Sequence, residues 1–396
     1  MTHGQPTPAV KLLESKQRQM YGALCAKPNS RSRAEEVIVV KHFERLGSAE
    51  PDTAHSTYLE ELREADAAKP TPFEDPSTYM VMIYLAGKVE RAMAKIGRPV
   101  DAFPTFGTLP LNQVNARVMR VQGSDEFLVA FQHGVFAFAN QLTKAVAASF
   151  VKDGTPPSVV IKNGSPPDGY SRFGYELAEV EQRWDDNDEP VRRFRALLNR
   201  YLLDGDPFAA QYFLDDPSQT TLAAIFRDSF ELFLFGHEMG HIMADHLSRG
   251  QCEALVLDSM EYEQLNPNWQ MELEADAIGC QLAIRAMIDS GYDVAMGFFG
   301  IDLFFTAQEI VDRALAMLSH GRPDLLREST SHPPNPLRKQ QLREGLNSVV
   351  DPQTAVSFLR LARAGEKILN ALWARVEMHF LTLHEKGGRP ARLWTA

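Results

Sequence analysis

The segment from Ala223 to Leu247, which reads AAIFRDSFELFLFGHEMGHIMADHL, carries the clearest structural signal in the chain. No proline interrupts it, and Phe and Leu fill the turns before a His-Glu-x-x-His motif, so the sequence predicts a buried helix. His237 and His241 are four residues apart, which places both imidazoles on one helix face, where they can bind a single zinc ion. Glu238 can reach a water beside that metal. This pattern predicts a metal hydrolase.

A catalytic zinc site needs a third protein ligand and an open fourth position, so a downstream helix should carry the missing ligand. Residues 266–279 read NPNWQMELEADAIG. They predict a helix with Asn266 as its N-cap and Pro267 at its first position. Glu272 is the candidate third ligand in this helix.

Asp276 lies one turn after Glu272, on the same face of the predicted helix. One carboxylate can bind the metal while the other orients a ligand histidine. Ala275 and Gly279 are small and would let this helix approach the zinc helix closely. Carboxylates on a helix are also common on a solvated face, but the neighbouring His-Glu-x-x-His helix favours the metal site.

The two motifs together resemble a family of zinc peptidases. HEMGH at 237–241, followed by ELEADAIG at 272–279, is similar to the gluzincin metallopeptidases related to the CaaX prenyl endopeptidase and the heat-shock membrane protease HtpX. The family pattern is H-E-x-x-H followed by E-x-x-A-D. The resemblance implies that Glu272 is the third zinc ligand, that Asp276 supports a ligand histidine, and that Glu274 is a neighbour of the site.

A third segment, Ser331-His332-Pro333-Pro334, is similar to the S/T-H-P-P segment of the same family, which precedes a basic helix. The resemblance implies that His332 is an active-site residue that either stabilises the oxyanion or gates the fourth zinc position. The alternative is a turn residue before two prolines.

Residues 114–147 predict two strands joined by Gly123, Ser124 and Asp125 and running into a helix. Family members carry a comparable hairpin beside the zinc helix. Its exposed edge would bind an extended peptide by strand addition. We interpret His133, within this segment, as structural.

The resemblance and the helical patterns imply an α+β, predominantly helical fold. We expect a zincin-like metallopeptidase with an active-site helix, a small β-hairpin or sheet beside it, and helical extensions. The expected domains are a helical extension at 1–75, the metallopeptidase domain at 76–350 and a long C-terminal helix at 351–396. The predicted helices span residues 9–26, 32–46, 53–68, 78–96, 293–318 and 352–384, and residues 152–170 predict a loop.

Composition narrows the class of protein. A net charge of −11 without a Lys/Arg-rich stripe argues against a nucleic-acid partner. The apolar stretches are shorter than the roughly 20 residues that span a bilayer, and residues 1–20 lack the core of a signal peptide. Three widely spaced cysteines are typical of reduced thiols. Unlike its membrane-embedded counterparts, the chain is expected to be soluble and cytoplasmic, with no integral membrane segment.

The predicted function is a zinc-dependent metalloendopeptidase that acts on a peptide or protein substrate with one zinc ion per chain. The zinc would polarise the scissile carbonyl and lower the pKa of a bound water. Glu238 would take the proton of that water and pass it to the leaving amine. His332 would stabilise the oxyanion, with Tyr262 and Arg338 as alternative donors.

Two alternatives remain open at this point. One is a zinc-stabilised binding or regulatory module without turnover, which would need a fourth protein ligand from His246 or His332. The other is a metal-dependent amidase acting on a non-peptide substrate, because the motif indicates water activation and not the identity of the acyl group.

An aromatic cluster predicts either a hydrophobic pocket or, more simply, core packing; its members are Phe298, Phe299, Phe304 and Phe305.

Overall fold

The computed structural model of the chain describes residues 6–24, 51–150, 176–210, 217–325, 332–349 and 352–394. In these ranges most residues are helical, and five strands form one mixed sheet. This confirms the prediction of an α+β, predominantly helical fold. The helix predicted at 32–46 and the loop predicted at 152–170 lie outside the described residues.

In chain order the helices are α1 (Pro8–Ala23), α2 (Pro51–Ala68), α3 (Pro76–Lys95), α4 (Gly134–Phe150), α5 (Leu177–Asp186), α6 (Glu189–Asn199), α7 (Pro217–Met243), α8 (His246–Arg249), α9 (Trp269–Asp289), α10 (Val294–His320), α11 (Asn335–Val349) and α12 (Pro352–Glu385). The strands are β1 (Thr105–Leu109), β2 (Ala116–Val121), β3 (Phe127–Gln132), β4 (Gln251–Leu257) and β5 (Met260–Asn266). A π-helical turn at Arg200–Asp204 follows α6.

Contacts divide the chain into two compact units, each built from two separate stretches. The first unit comprises residues 1–135 and 241–267, and the second comprises residues 136–240 and 268–396.

The sheet belongs to the first unit and has the strand order β1-β3-β2-β5-β4. Only the β1–β3 pair is parallel, and the predicted β2–β3 hairpin is present with Ala116 opposite Phe131. Asp258 and Ser259 join β4 to β5, with φ of 48° and 67°. Positive φ at both central residues gives the tight hairpin turn whose twist matches that of the flanking strands.

Helix α1 packs on this sheet through Leu12 and Leu13, which are fully buried against Met119, Leu128 and Tyr262. Burial of these apolar side chains is the main force holding the helix on the sheet.

A buried polar network lies beside this core. Gln17 Nε2 and the Thr108 amide donate to Glu74 Oε1 at 2.6 and 2.8 Å, and the Thr108 hydroxyl donates to Oε2 at 2.6 Å. The same hydroxyl is 2.7 Å from His133 Nε2, which agrees with a structural role for His133. Burial raises the pKa of Glu74 to about 7, although these hydrogen bonds oppose the shift.

Aromatic side chains form the core of the second unit. Phe299 packs on Phe226 with ring centroids 4.2 Å apart, and Phe304 packs on Phe230 at 5.2 Å. Phe305 lies 5.3 Å from Phe233 in the same way. All of the predicted aromatic cluster is buried, which supports the core interpretation over a pocket.

Ion pairs fix α11 against α10 and α12. Arg343 donates to both oxygens of Asp302 at 2.7 and 2.8 Å and to Glu366 at 2.8 Å. Lys339 also donates to Glu366, at 2.8 Å. Because these groups lie between three helices, their pairing sets the position of α11.

Among the described residues, α10 is the one helix long and apolar enough to cross a membrane, with a mean hydropathy of 1.4 over 18 residues. Of that window, 83 % is buried inside the fold. The core helix of a soluble protein has the same length and composition, so this feature is weak support for a membrane span.

Candidate metal site

Helices α7 and α9 approach each other closely at the predicted site. A Cβ added to Gly279 would lie 2.7 Å from the amide nitrogen of His237, and one added to Gly240 would lie 2.9 Å from the carbonyl oxygen of Ala275. Side chains at these positions would push the backbones apart, so the glycines permit the contact. The prediction that Ala275 and Gly279 allow close approach is therefore confirmed.

The contact brings three candidate ligands together. One ligand atom from each of His237, His241 and Glu272 lies within 4.8 Å of the others, and all three residues are buried. His237 Nε2 and Glu272 Oε2 are 3.6 Å apart. Tetrahedral zinc with ligands at about 2.0–2.1 Å places ligand atoms about 3.3 Å from each other. These residues fit a metal ion, as predicted.

Asp276 orients the first histidine. Its Oδ1 lies 2.9 Å from His237 Nδ1, on the side of the ring away from Glu272. Arg338 donates to both oxygens of Asp276, at 2.7 and 2.6 Å. Burial opposes ionisation of Asp276, but the charge and hydrogen bonds of Arg338 and a hydrogen bond from His237 lower its pKa. An ionised Asp276 accepts a hydrogen bond from the Nδ1–H of His237 and leaves Nε2 for a metal.

His241 has a different partner. Its Nδ1 lies 2.9 Å from Nδ1 of His246, which is fully buried. The sequence prediction gave His246 only as a possible fourth metal ligand, so this contact is a new finding of the structure.

Glu238 and His332 are the two predicted catalytic residues. Glu238 is buried, with 6 % exposure, and its charge is among those that raise the pKa of Arg338 against the effect of burial. His332 Nε2 lies 3.6 Å from Glu272 Oε2, and its side chain is 46 % exposed. The structure thus places both residues in the same charged environment as the candidate ligands.

The formal charge of this environment suits a dication. Glu238, Glu272 and Asp276 contribute three carboxylates, and Arg338 contributes one buried cation. With all four groups ionised, a net charge of −2 lies beside the two ligand histidines. Buried charge of one sign is costly unless an opposite charge compensates it.

One detail of the sequence prediction is wrong. Helix α9 begins at Trp269 with Asn268 as its N-cap, whose side chain accepts from the Met271 amide at 3.0 Å. Asn266 instead ends β5, where it lies opposite Gln251. Strand pairing therefore excludes Asn266 as the cap and Pro267 from the helix.

Tyr262 and Arg338, the two alternative oxyanion donors, both form hydrogen bonds with other side chains. Arg338 is paired with Asp276 as described. The Tyr262 hydroxyl accepts a hydrogen bond from Lys16 Nζ at 2.9 Å, within the first unit. These contacts make Arg338 a support for the ligands, a role that sequence reasoning missed.

Comparisons of the chain with protein-family models, curated proteins and solved structures found no match. The resemblance to the gluzincin peptidases therefore rests on the motifs and on the geometry of the residues that carry them.

Proposed function

We propose that this chain is a zinc-dependent metalloendopeptidase with a single metal held by His237, His241 and Glu272. The observation that carries the proposal is the convergence of these three buried ligands on two closely packed helices, with Glu238 next to the first ligand in the chain. Two histidines, one carboxylate and an open fourth position are the ligand set of catalytic zinc in peptidases.

When bound, a zinc ion supplies Lewis acidity toward the scissile carbonyl and toward a water molecule. The remaining chemistry belongs to the side chains of this chain. Glu238 accepts a proton from the attacking water and delivers it to the amine of the leaving group, as a general base and then a general acid. His332 donates a hydrogen bond to the oxyanion from the exposed side of the site.

The finer fold assignment is part of the proposal. We infer a zincin-like catalytic domain because α7 carries the His-Glu-x-x-His motif and α9 carries Glu272 and Asp276 in the family spacing. A predominantly helical fold with a small mixed sheet agrees with this class. A peptide or protein substrate and a soluble, cytoplasmic protein without nucleic-acid binding follow as proposals from the same reasoning.

One observation favours a second candidate, a closed metal site without turnover. His332 Nε2 is as far from Glu272 Oε2 as His237 Nε2 is, at 3.6 Å in both cases. His332 is thus a candidate fourth ligand, but it would have to move closer, because it is outside the group of residues whose ligand atoms all lie within 4.8 Å of one another. His246 is a poor one, because its Nδ1 contacts the Nδ1 of His241, and the Nε2 of His241 is the nitrogen left for the metal.

Removal and return of metal tests the proposal. The full chain treated with a chelator should lose cleavage of casein, and one equivalent of Zn²⁺ should restore it. Cleavage that persists without metal would contradict the proposed mechanism. A chain that binds one zinc tightly yet cleaves neither casein nor a peptide library would favour the closed site, and turnover of small amides alone would favour an amidase.

A further inference from the structure

We infer that His246 is a positioning residue that fixes the tautomer and orientation of the candidate metal ligand His241, and that the end of helix α7 at Met243 allows His246 to reach it. The inference rests on the proposed metal site and extends it by one residue.

The contact itself limits where protons can be. The two Nδ1 atoms are 2.9 Å apart, and the rings are inclined at 65° with centroids 5.1 Å apart. Two imidazole nitrogens at hydrogen-bond distance share one proton, so one ring donates and the other accepts. His241 is 3 % exposed and His246 is fully buried.

Metal binding decides which ring donates. The only nitrogen that His241 can offer a metal is Nε2, because Nδ1 faces His246. A neutral imidazole with Nε2 on a metal carries its proton on Nδ1, which then donates to His246. His246 accepts through an unprotonated Nδ1 and therefore carries its own proton on Nε2. Both rings are neutral in this arrangement.

The backbone conformation after α7 makes the contact between His241 and His246 possible. On a continuous helix, residues five apart point about 140° away from each other, so His246 would not reach His241. The helix instead ends at Met243, and Asp245 adopts a left-handed conformation with φ 53° and ψ 39°. This turn starts α8 and brings His246 back over the last turn of α7. Asp is among the few residues that tolerate this conformation.

The two ligand histidines are thus supported in different ways. His237 is backed by the charged Asp276, whereas His241 is backed by a neutral imidazole. A carboxylate partner makes a ligand histidine a stronger electron donor. A neutral acceptor orients His241 without adding a fourth negative charge to Glu238, Glu272 and Asp276.

Two substitutions distinguish the hydrogen-bond acceptor of His246 from the bulk of its side chain. Asn at position 246 keeps an acceptor oxygen where Nδ1 stands, whereas Leu keeps the bulk and removes the acceptor. We expect His246→Asn to bind Zn²⁺ within about threefold of the wild type and His246→Leu to bind it about 10–100-fold more weakly, as for other partners of ligand histidines. Affinity is measured on the full chain by competition with a chromophoric chelator, and far-ultraviolet circular dichroism checks that both variants fold.

The visible spectrum of bound Co²⁺ gives a readout independent of activity, because it reports ligand geometry. The spectrum should be retained in His246→Asn and altered in His246→Leu. Equal affinities and spectra for wild type and His246→Leu, or equally weak binding by both variants, would overturn the inference.

The turn supplies a second test if His246→Leu fails to fold. Asp245→Val places a β-branched residue in the left-handed region and should weaken Zn²⁺ binding, whereas Asp245→Gly should not. Equal affinities of these two variants would contradict the role of the turn. Wild type that binds Zn²⁺ but cleaves nothing would contradict the peptidase proposal. The role of His246 would then still be decided by the Zn²⁺ affinities of His246→Asn and His246→Leu. Wild type that binds no Zn²⁺ would overturn both.

Discussion

Arg338 and Asp276 form a buried bidentate ion pair, with Nε to Oδ2 at 2.7 Å and Nη2 to Oδ1 at 2.6 Å. The same Oδ1 lies 2.9 Å from His237 Nδ1, so a chain of three groups runs from α11 through α9 to α7. Arg338 Nη2 is also 3.4 Å from Glu272 Oε2. A single guanidinium therefore contacts one candidate metal ligand and the residue that orients another.

Substitution of Arg338 by Met should impair both folding and metal binding. Loss of the guanidinium leaves Asp276 as a buried carboxylate without its cation, which typically costs about 3–5 kcal/mol in the free energy of unfolding. Zn²⁺ affinity should fall about 10–100-fold, because Asp276 no longer holds His237 in place. Urea denaturation and chelator competition measure the two effects.

The control for this variant is Arg192→Met, which breaks an exposed pair with Asp188. A surface pair contributes about 0–1 kcal/mol, so this control should change little. If Arg338→Met is no less stable than the control and binds Zn²⁺ as the wild type does, the proposed role of Arg338 is wrong.

Gly279→Ala should separate the two ligand helices. The new Cβ would lie 2.7 and 2.9 Å from backbone atoms of His237, which cannot rotate away. We expect a cost of about 1–3 kcal/mol in unfolding, as for other overpacked sites, together with weaker Zn²⁺ binding. Gly345→Ala in α11 is the matched control, since its Cβ meets nothing within 4 Å. A wild-type Zn²⁺ affinity in Gly279→Ala would show that close packing is not needed for the site.

The contribution of Glu74 to stability should fall as the pH rises from 4.5 to 7. Burial raises the pKa of this carboxyl from 4.5 to about 7. Below pH 4.5 the carboxyl is protonated in both states, and its full contribution to the free energy of unfolding is present. Between pH 4.5 and 7 the folded state holds a proton that the unfolded state has released, so stability decreases as the pH rises. This contribution is lost at about 1.4 kcal/mol per pH unit and is gone above pH 7.

Glu74→Gln tests this pH dependence, because its amide stays neutral at every pH and can donate to the Thr108 hydroxyl. Urea denaturation at pH 5, 6, 7 and 8 should show a steeper decline in the wild type than in the variant. Burial also raises the pKa of Glu231 to about 8 and of Asp312 to about 6, so these two groups contribute a decline that both proteins share. The exposed Glu60→Gln serves as the control and should follow the wild type. Parallel curves for wild type and Glu74→Gln would exclude Glu74 as the source.

His332→Ala distinguishes the catalytic site from the closed site. If His332 stabilises the oxyanion, the variant should retain one zinc and lose about 10²–10³ in kcat, as when one oxyanion donor is removed. If His332 is a fourth ligand, zinc affinity should fall and turnover should rise or stay absent. Zinc titration and casein cleavage on the same preparation separate these outcomes.

The central helices could be predicted from local sequence because their signals are short in range. The apolar run before His237 specifies a buried helix, and the small residues near Glu272 specify a close neighbour. Strands β1, β4 and β5 were missed, and β4 is mostly exposed and shows no apolar alternation. The N-cap of α9 was misplaced because two asparagines fit the local pattern and a long-range strand pair chose between them.

The supporting residues of the site lay beyond sequence reasoning for a similar cause. Arg338 is 62 positions from Asp276, and no local pattern links them. His246 is only five positions from His241, but their contact depends on a left-handed turn at Asp245 that the helical pattern does not reveal. The sequence signal for this contact is a histidine that follows the His-Glu-x-x-His motif by five residues.

The role of Glu238 at a zinc site is tested by measuring zinc content and casein cleavage together on wild type and Glu238→Gln. Gln preserves the size of the side chain but cannot take a proton from water. Zinc should still bind to the variant, because Glu238 is not among the three candidate ligands. We expect one zinc per chain in both proteins and cleavage by the wild type alone. Cleavage by Glu238→Gln, or absence of zinc from the wild type, would contradict this expectation.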